Sequence, residues 1–244
     1  MNYNVLGIDI YFANYNEILE KIFSEDIRTI ACANQYYLNL AFENKDYKKN
    51  LNAFDLIFPD GIGLKWAAGI KDKNELVKKL ERVNGSDIYP EIIKKIFNKK
   101  LSLYILGDSQ IVLDNALKNI KGSFEGIKIT GIHHGYFDLH NEKIIEDINS
   151  SDPFFLLVGL GAPRQEEWIN MWKDKLNAKK IVAVGGGLRV LAGDRKRGPI
   201  WVRNMGLEWF VRLITEPVKN WKRYIIGIPL FIYRVLIQKI QSYE

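Results

Sequence analysis

Asp60 follows a short apolar run, Leu56–Phe58, through Pro59, which puts a carboxylate at the C-terminal end of a strand. Open α/β sheets do their chemistry at that edge, and a carboxylate there can take the proton of an attacking hydroxyl. An ordinary turn or N-cap calls for an aspartate in the same place. A second stretch, Phe154–Ile169, reads FFLLVGLGAPRQEEWI. The run Phe154–Val158 has the length and content of a buried strand. It turns through Gly159-Leu160-Gly161-Ala162 and enters a helix with Pro163 at or near its first position. Backbone N–H groups at such a turn can meet phosphate or sugar oxygens. The glycines alone require no ligand, but Arg164-Gln165-Glu166 adds a polar cluster at the same edge. The adjacent His133-His134 lacks metal-ligand spacing and has no nearby cysteine. No Asp-x-Asp pair is present to hold a nucleotide-bound divalent ion, so no metal is expected. Gly185-Gly186-Gly187 is not G-x-G-x-x-G, and no acid follows at the spacing of a ribose ligand.

The elements that must position these residues alternate between strand and helix. Strands are expected at Val5–Ile10, Arg28–Ala33, Leu56–Phe58, Leu101–Leu106, Ile127–Ile132, Phe154–Val158 and Lys180–Val184. Asn14 with Glu17 resembles a capping box before a helix carrying Ile18, Ile22 and Phe23. Tyr36 to Phe42 and Ile62 to Ala68 read as helices. Ser86 or Asp87 can cap one carrying Ile88, Ile92, Ile93 and Ile96, and Ser109 one carrying Ile111, Val112 and Leu117. This alternation predicts an α/β protein: a largely parallel sheet with helices on both faces.

The charge is unevenly placed. Residues 195–244 carry ten Lys/Arg and three acids, a net of +7, whereas the whole chain is +6 and residues 1–194 therefore −1. Three of the six tryptophans lie in the same tail. Arg203–Thr215 and a segment begun by Pro217 have apolar helical faces, and Pro229 is expected to interrupt the second. Rings and cations mixed on short amphipathic helices suit a membrane interface with anionic lipid. They equally suit a helical subdomain folded back on its own core. Nucleic acid fits less well, because large aliphatics interleave the basic residues. No apolar run reaches the roughly 20 residues of a spanning helix. The N-terminus shows no signal peptide, and the single cysteine, Cys32, fits a reducing cytoplasm. The expected organisation is a core of residues 1–194 and a basic amphipathic appendage of residues 195–244.

Taken in order, the landmarks resemble the bacterial WecG/TagA/CpsF glycosyltransferases, which build teichoic-acid linkage units, enterobacterial common antigen and capsular or exopolysaccharide. They are Asn34, Pro59-Asp60-Gly61, Arg82-Val83 with Gly85 and Asp87, Gly107-Asp108, Gly135-Tyr136-Phe137, Val158 to Glu166 with Trp168, and Val184-Gly-Gly. In the tail they are Lys196-Arg197-Gly-Pro199, Gly206-Leu-Glu-Trp209, Arg212-Leu213 and Glu216-Pro217. The resemblance implies a Rossmann-like core with a membrane-associating appendage on the inner face of the cytoplasmic membrane. It also implies an inverting, metal-independent transfer from a UDP-sugar to a polyprenyl-diphosphate-linked sugar, with no cofactor beyond the donor. Asp60 matches the family's proposed base. Asn34 and Gln165 match polar residues near the donor. Arg82, Gly107, Tyr136, Gly185, Gly186 and Arg189 fall where the nucleotide is held. Arg212, Lys219, Lys222 and Arg223 fall where cations would close over the site and meet diphosphate.

Two positions depart from that pattern. The family often has Thr where this chain has Cys32, and Phe-Asp where it has Leu188-Arg189. The charge reversal at Arg189 points away from an N-acetylmannosamine nucleotide and toward a UDP-hexose such as UDP-glucose, or an acidic sugar. A non-catalytic lipid-binding protein of the same fold is the alternative, with retention of Asp60, Asn34 and Gln165 against it. An exposed apolar tail would also favour a homo-oligomer in solution.

Overall fold

The computed structural model describes residues 1–71, 81–195 and 197–241. An antiparallel hairpin, β1 (Asn2–Val5) and β2 (Ile8–Tyr11), opens the chain. A single strand over Val5–Ile10 was expected, but the chain reverses at Leu6-Gly7, and the apolar residues of the two short strands had merged into one run. Six strands form the central sheet: β3 (Thr29–Ala33), β4 (Leu56–Pro59), β5 (Leu103–Gly107), β6 (Ile129–His133), β7 (Phe155–Gly159) and β8 (Lys180–Ala183). Their order is β4-β3-β8-β7-β5-β6, and every neighbouring pair is parallel. The C-terminal ends of all six therefore share one edge. This α/β architecture is the expected one.

The sheet is apolar on both faces because helices cover both, as parallel sheets require. Alternate residues of each strand enter different cores. Ile30, Phe155 and Leu157 face helices α1 (Tyr15–Phe23), α5 (Gly85–Asn98) and α6 (Gln110–Ser123). Ala31, Leu156 and Val158 face α2 (Gln35–Glu43), α3 (Lys45–Asn52), α4 (Ile62–Lys71), α7 (Glu142–Ser150) and α8 (Arg164–Trp172). Asn14 caps α1 as expected, accepting from the Glu17 N–H at 2.9 Å while its own Nδ2 donates to the Glu17 carboxylate at 2.7 Å. Ser109 caps α6. Asn84, rather than Ser86 or Asp87, caps α5.

After β8 come α9 (Gly187–Leu191), α10 (Ile200–Asn204), α11 (Glu208–Thr215) and the long α12 (Pro217–Gln241). Two expectations change here. One helix over Arg203–Thr215 is split by a turn at Gly206, and Pro229 does not interrupt α12. A π-helical turn, Lys222–Ile226, precedes the proline and shifts the hydrogen-bond register, so its missing N–H is absorbed. The continuous α12 is 25 residues and contains an 18-residue stretch with a mean hydropathy of 1.2, long and apolar enough to span a bilayer by length and composition, contrary to the reading of the sequence. Its contacts are with the protein, however: it lies against α2 and α4 and buries Phe231 and Val235 in the core they share. Ile225, Ile226, Tyr233, Leu236 and Ile240 remain exposed on it. Lys196, one of the tail landmarks, lies outside the described residues.

Because Phe231 fills the core of the sheet, Phe231→Ala should lower the stability of the whole protein by about 3–5 kcal/mol. Denaturant unfolding should show this as one lower midpoint. An unchanged midpoint would mean that the tail is not part of the cooperative unit.

Candidate active site

Asp60 stands just past β4, beside the end of β3, and both of its carboxylate oxygens are held. Asn34 Nδ2 donates to Oδ2 at 3.2 Å, and the Gly85 N–H donates to Oδ1 at 2.9 Å. Asn34 is itself fixed, since its Oδ1 caps α2 by accepting from the Tyr36 and Tyr37 N–H groups at 3.0 and 3.3 Å. The backbone around the aspartate is held as well, with Asp60 N–H donating to Ala33 and Gly61 N–H to Val83, at 2.7 and 2.8 Å. An ionised carboxylate has about four lone-pair sites, so two remain for an incoming hydroxyl. Asp60 and Asn34 open on a cleft whose walls include Trp66, Arg82, Glu208, Arg212 and Arg223.

The tail is tied to this cleft through a buried acid. Glu208, at the start of α11, accepts from Asn84 Nδ2 at 2.6 Å, from Arg212 Nη2 at 2.9 Å and from Arg197 Nε at 3.4 Å. Arg197 also pairs with Asp87 at 2.5 Å. Burial works against the Arg212 charge, but Tyr224, Glu208 and Asp60 around it hold its pKa above the ordinary value. Arg223 stacks its guanidinium on the Tyr36 ring, 4.8 Å from the centroid. Arg212 and Arg223 thus reach the cleft. Lys219 is exposed, pairs with Glu216 at 3.4 Å and lines a neighbouring hollow with Arg195. Lys222 is exposed with its ammonium over Trp221, and lines none of these hollows.

A second hollow lies over the ends of β5, β7 and β8, lined by Asp108, Tyr136, Arg164, Gly185, Gly186 and Arg189 among others. Tyr136 is 70 % exposed, an aromatic face open to a planar ring. Arg189 is not a free cation. It grips Asp108 with both Nε and Nη2, at 2.8 and 3.1 Å, and this pairing raises its pKa. The attraction of an acidic sugar to Arg189 therefore loses its basis. Arg82 lines the Asp60 cleft rather than this hollow. Gly107 owes its identity to strand packing: at φ +137°, an added Cβ would stand 2.5 Å from the Gly159 carbonyl.

Gln165 lies beneath the Gly185 turn and is almost fully buried. Its Nε2 donates to Glu166 Oε1 at 2.7 Å, while its own Oε1 and Glu166 Oε2 have no partner among the described residues. Burial pushes the Glu166 carboxyl up to about 7, against a smaller opposing effect of the Gln165 hydrogen bond. Cys32, the other departure from the family pattern, sits with Sγ 3.1 Å from the Tyr89 hydroxyl. Burial and then Asp60 raise its pKa well above the ordinary range, so it is no nucleophile. The sequence reading did not single out Asn84, Glu208 or Arg195 as site residues. Glu166 was visible in the sequence as part of the polar cluster Arg164-Gln165-Glu166, and Glu208 as part of the landmark Gly206-Leu-Glu-Trp209.

The family model described as "Glycosyl transferase WecG/TagA/CpsF family" matches residues 3–244. The chain is also 29% identical over 241 residues to the N-acetylglucosaminyldiphosphoundecaprenol N-acetyl-beta-D-mannosaminyltransferase of Staphylococcus aureus strain MRSA252, covering 95% of this chain and 91% of the relative. The protein of that name from strain NCTC 8325 / PS 47 matches with the same identity and coverage.

Glu166 makes stability depend on pH. Between its ordinary 4.5 and its folded value of about 7, the folded chain keeps a proton that the unfolded chain has lost. Stability should therefore fall as pH rises through that window and stay lower above it. Glu166→Gln cannot ionise, so its advantage in unfolding free energy over the parent, read by denaturant unfolding, should widen from about pH 5 to about pH 7.5, by on the order of 3 kcal/mol, and then level off. A gap independent of pH would remove this assignment.

Proposed function

The chain belongs to the WecG/TagA/CpsF glycosyl transferase family, and from that premise we propose that it transfers a sugar from a UDP-sugar to a polyprenyl-diphosphate-linked sugar, with inversion and without a metal. The observation that carries this reading is Asp60, held on both oxygens and open to a cleft walled by arginines. Asp60 takes the proton of the acceptor hydroxyl. The freed oxygen attacks the anomeric carbon from the side opposite UDP, and the C–O bond to UDP breaks with its electron pair leaving on the β-phosphate. Arg212 and Arg223 supply fixed positive charge where that negative charge develops. Asn34 keeps the Asp60 carboxylate turned toward the acceptor. Tyr136, Gly185 and Gly186 hold the nucleotide, with Gln165 supporting the Gly185 turn from below.

The relatives are named as N-acetylmannosaminyltransferases. Arg189 is neutralised by Asp108, which favours an uncharged donor, a UDP-hexose or a UDP-N-acetylhexosamine. The acceptor is lipid-linked, and the exposed apolar residues of α10 to α12, with the basic side chains among them, suit a protein working on the inner face of the cytoplasmic membrane. This is a peripheral role for residues 195–244.

The test is UDP release by the purified protein with UDP-N-acetylmannosamine, UDP-N-acetylglucosamine, UDP-glucose and UDP-glucuronate, each with a prenyl-diphosphate-N-acetylglucosamine acceptor. Release should occur in EDTA with an uncharged donor and not with UDP-glucuronate. Absence of release with every donor, or its loss in EDTA, would contradict the reading.

A further inference from the structure

Gly186 has an ordinary backbone, φ −67° and ψ 6°, that any residue can adopt. The space where a side chain would stand is taken by the end of Arg195. A Cβ on Gly186 would stand 2.7 Å from Arg195 Nη2 and 3.2 Å from its Cζ, so the guanidinium lies against the bare backbone of the turn. From there Arg195 acts electrostatically on Arg212 and Arg223, the two tail cations of the Asp60 cleft.

Three guanidinium groups thus converge, and their partners differ. Arg212 has Glu208 at 2.9 Å. Among the described residues, neither Arg195 nor Arg223 has a carboxylate within 4.0 Å, and the Arg223 Nε is buried without a partner. Burial, then Arg212 and Arg223, lower the Arg195 pKa, with Asp60 and Tyr224 opposing more weakly. An arginine remains charged through such a shift, so the folded chain carries a repulsion that Asp60 offsets only in part. An anion between these groups would relieve it.

Position says which anion. Gly186 lines the Tyr136 hollow, Arg212 and Arg223 line the Asp60 cleft, and Arg195 joins them. A nucleotide-sugar with its base in the hollow and its sugar at Asp60 has its diphosphate between the two. We propose that Arg195 is a diphosphate-binding residue, seated on Gly186 and acting with Arg212 and Arg223. The proposal rests on the glycosyltransferase reading and adds to it the residue that takes the charge of the leaving group. The same chemistry could reach Arg195 on the lipid acceptor, and the two carriers are separable by experiment.

Arg195→Met keeps the side-chain stem and removes the charge. Isothermal titration of UDP, uridine and geranyl diphosphate against the full chain, with unfolding of the unliganded protein, tests the proposal. UDP affinity should fall roughly 10-fold or more while uridine affinity moves less than about 3-fold. Arg195→Lys should be intermediate. The unliganded Tm should hold or rise, because a repelled cation has been removed, whereas removing a purely structural arginine lowers it. A selective loss for geranyl diphosphate instead of UDP also supports the proposal and assigns the acceptor as carrier. Equal affinities of variant and parent for both diphosphates, or a lower Tm with those affinities retained, would overturn it. A parent protein that binds neither diphosphate would overturn the glycosyltransferase reading and the proposal together.

Discussion

Two hydrogen bonds fix the Asp60 carboxylate, and each comes from a group that has a second structural duty. Asn34 caps α2 with the other end of its amide. The Gly85 N–H belongs to the first turn of α5, where an orphan helical N–H needs an acceptor. The aspartate thus satisfies a helix terminus while the helix terminus orients the aspartate. Asn84, the cap of α5, then reaches Glu208, and through Glu208 the tail's Arg197 and Arg212. Sheet edge, helix start and tail are joined through two carboxylates, Asp60 and Glu208. A buried acid such as Glu208 is tolerable only because three donors meet it.

The distribution of positive charge follows from that coupling. The basic excess of residues 195–244 looks uniform in sequence, but the fold sorts it. Arg197 and Arg212 are matched by acids, and Arg234 by Glu43 at 2.6 Å. Lys219 and Lys222 stay exposed on α12. Arg223 is brought to the cleft and Arg195 to the hollow beside it, neither with a carboxylate within 4.0 Å among the described residues. Charge that is unbalanced in the folded protein marks where a polyanion belongs, whereas the balanced charge holds the tail in place.

Much of this was legible in the chain. Each core strand lies within about two residues of its apolar run, because a parallel strand covered on both faces is a continuous apolar segment. Asp60 and Asn34 were visible as polar residues ending such runs, and the structure joins them. What could not be read was long-range. Asn84 meets Glu208 across 124 positions, and the contact of Arg195 with Gly186 leaves no mark except a glycine whose backbone does not need one. The errors were local and physical. Gly7 turned an apparent strand into a hairpin, Gly206 split a helix, and a π-helical turn carried α12 past Pro229. Arg189 looked like a free cation because its partner, Asp108, lies 81 positions away.

The central claim is that the held carboxylate of Asp60 acts as the base. The most direct measurement is single-turnover sugar transfer by Asp60→Asn, which keeps the shape of the side chain, beside UDP binding by the same protein. The rate should fall roughly 10²-fold or more with UDP affinity unchanged. Transfer at the parent rate would contradict the account, and an equal loss of UDP binding would mean that Asp60 serves the nucleotide rather than the acceptor.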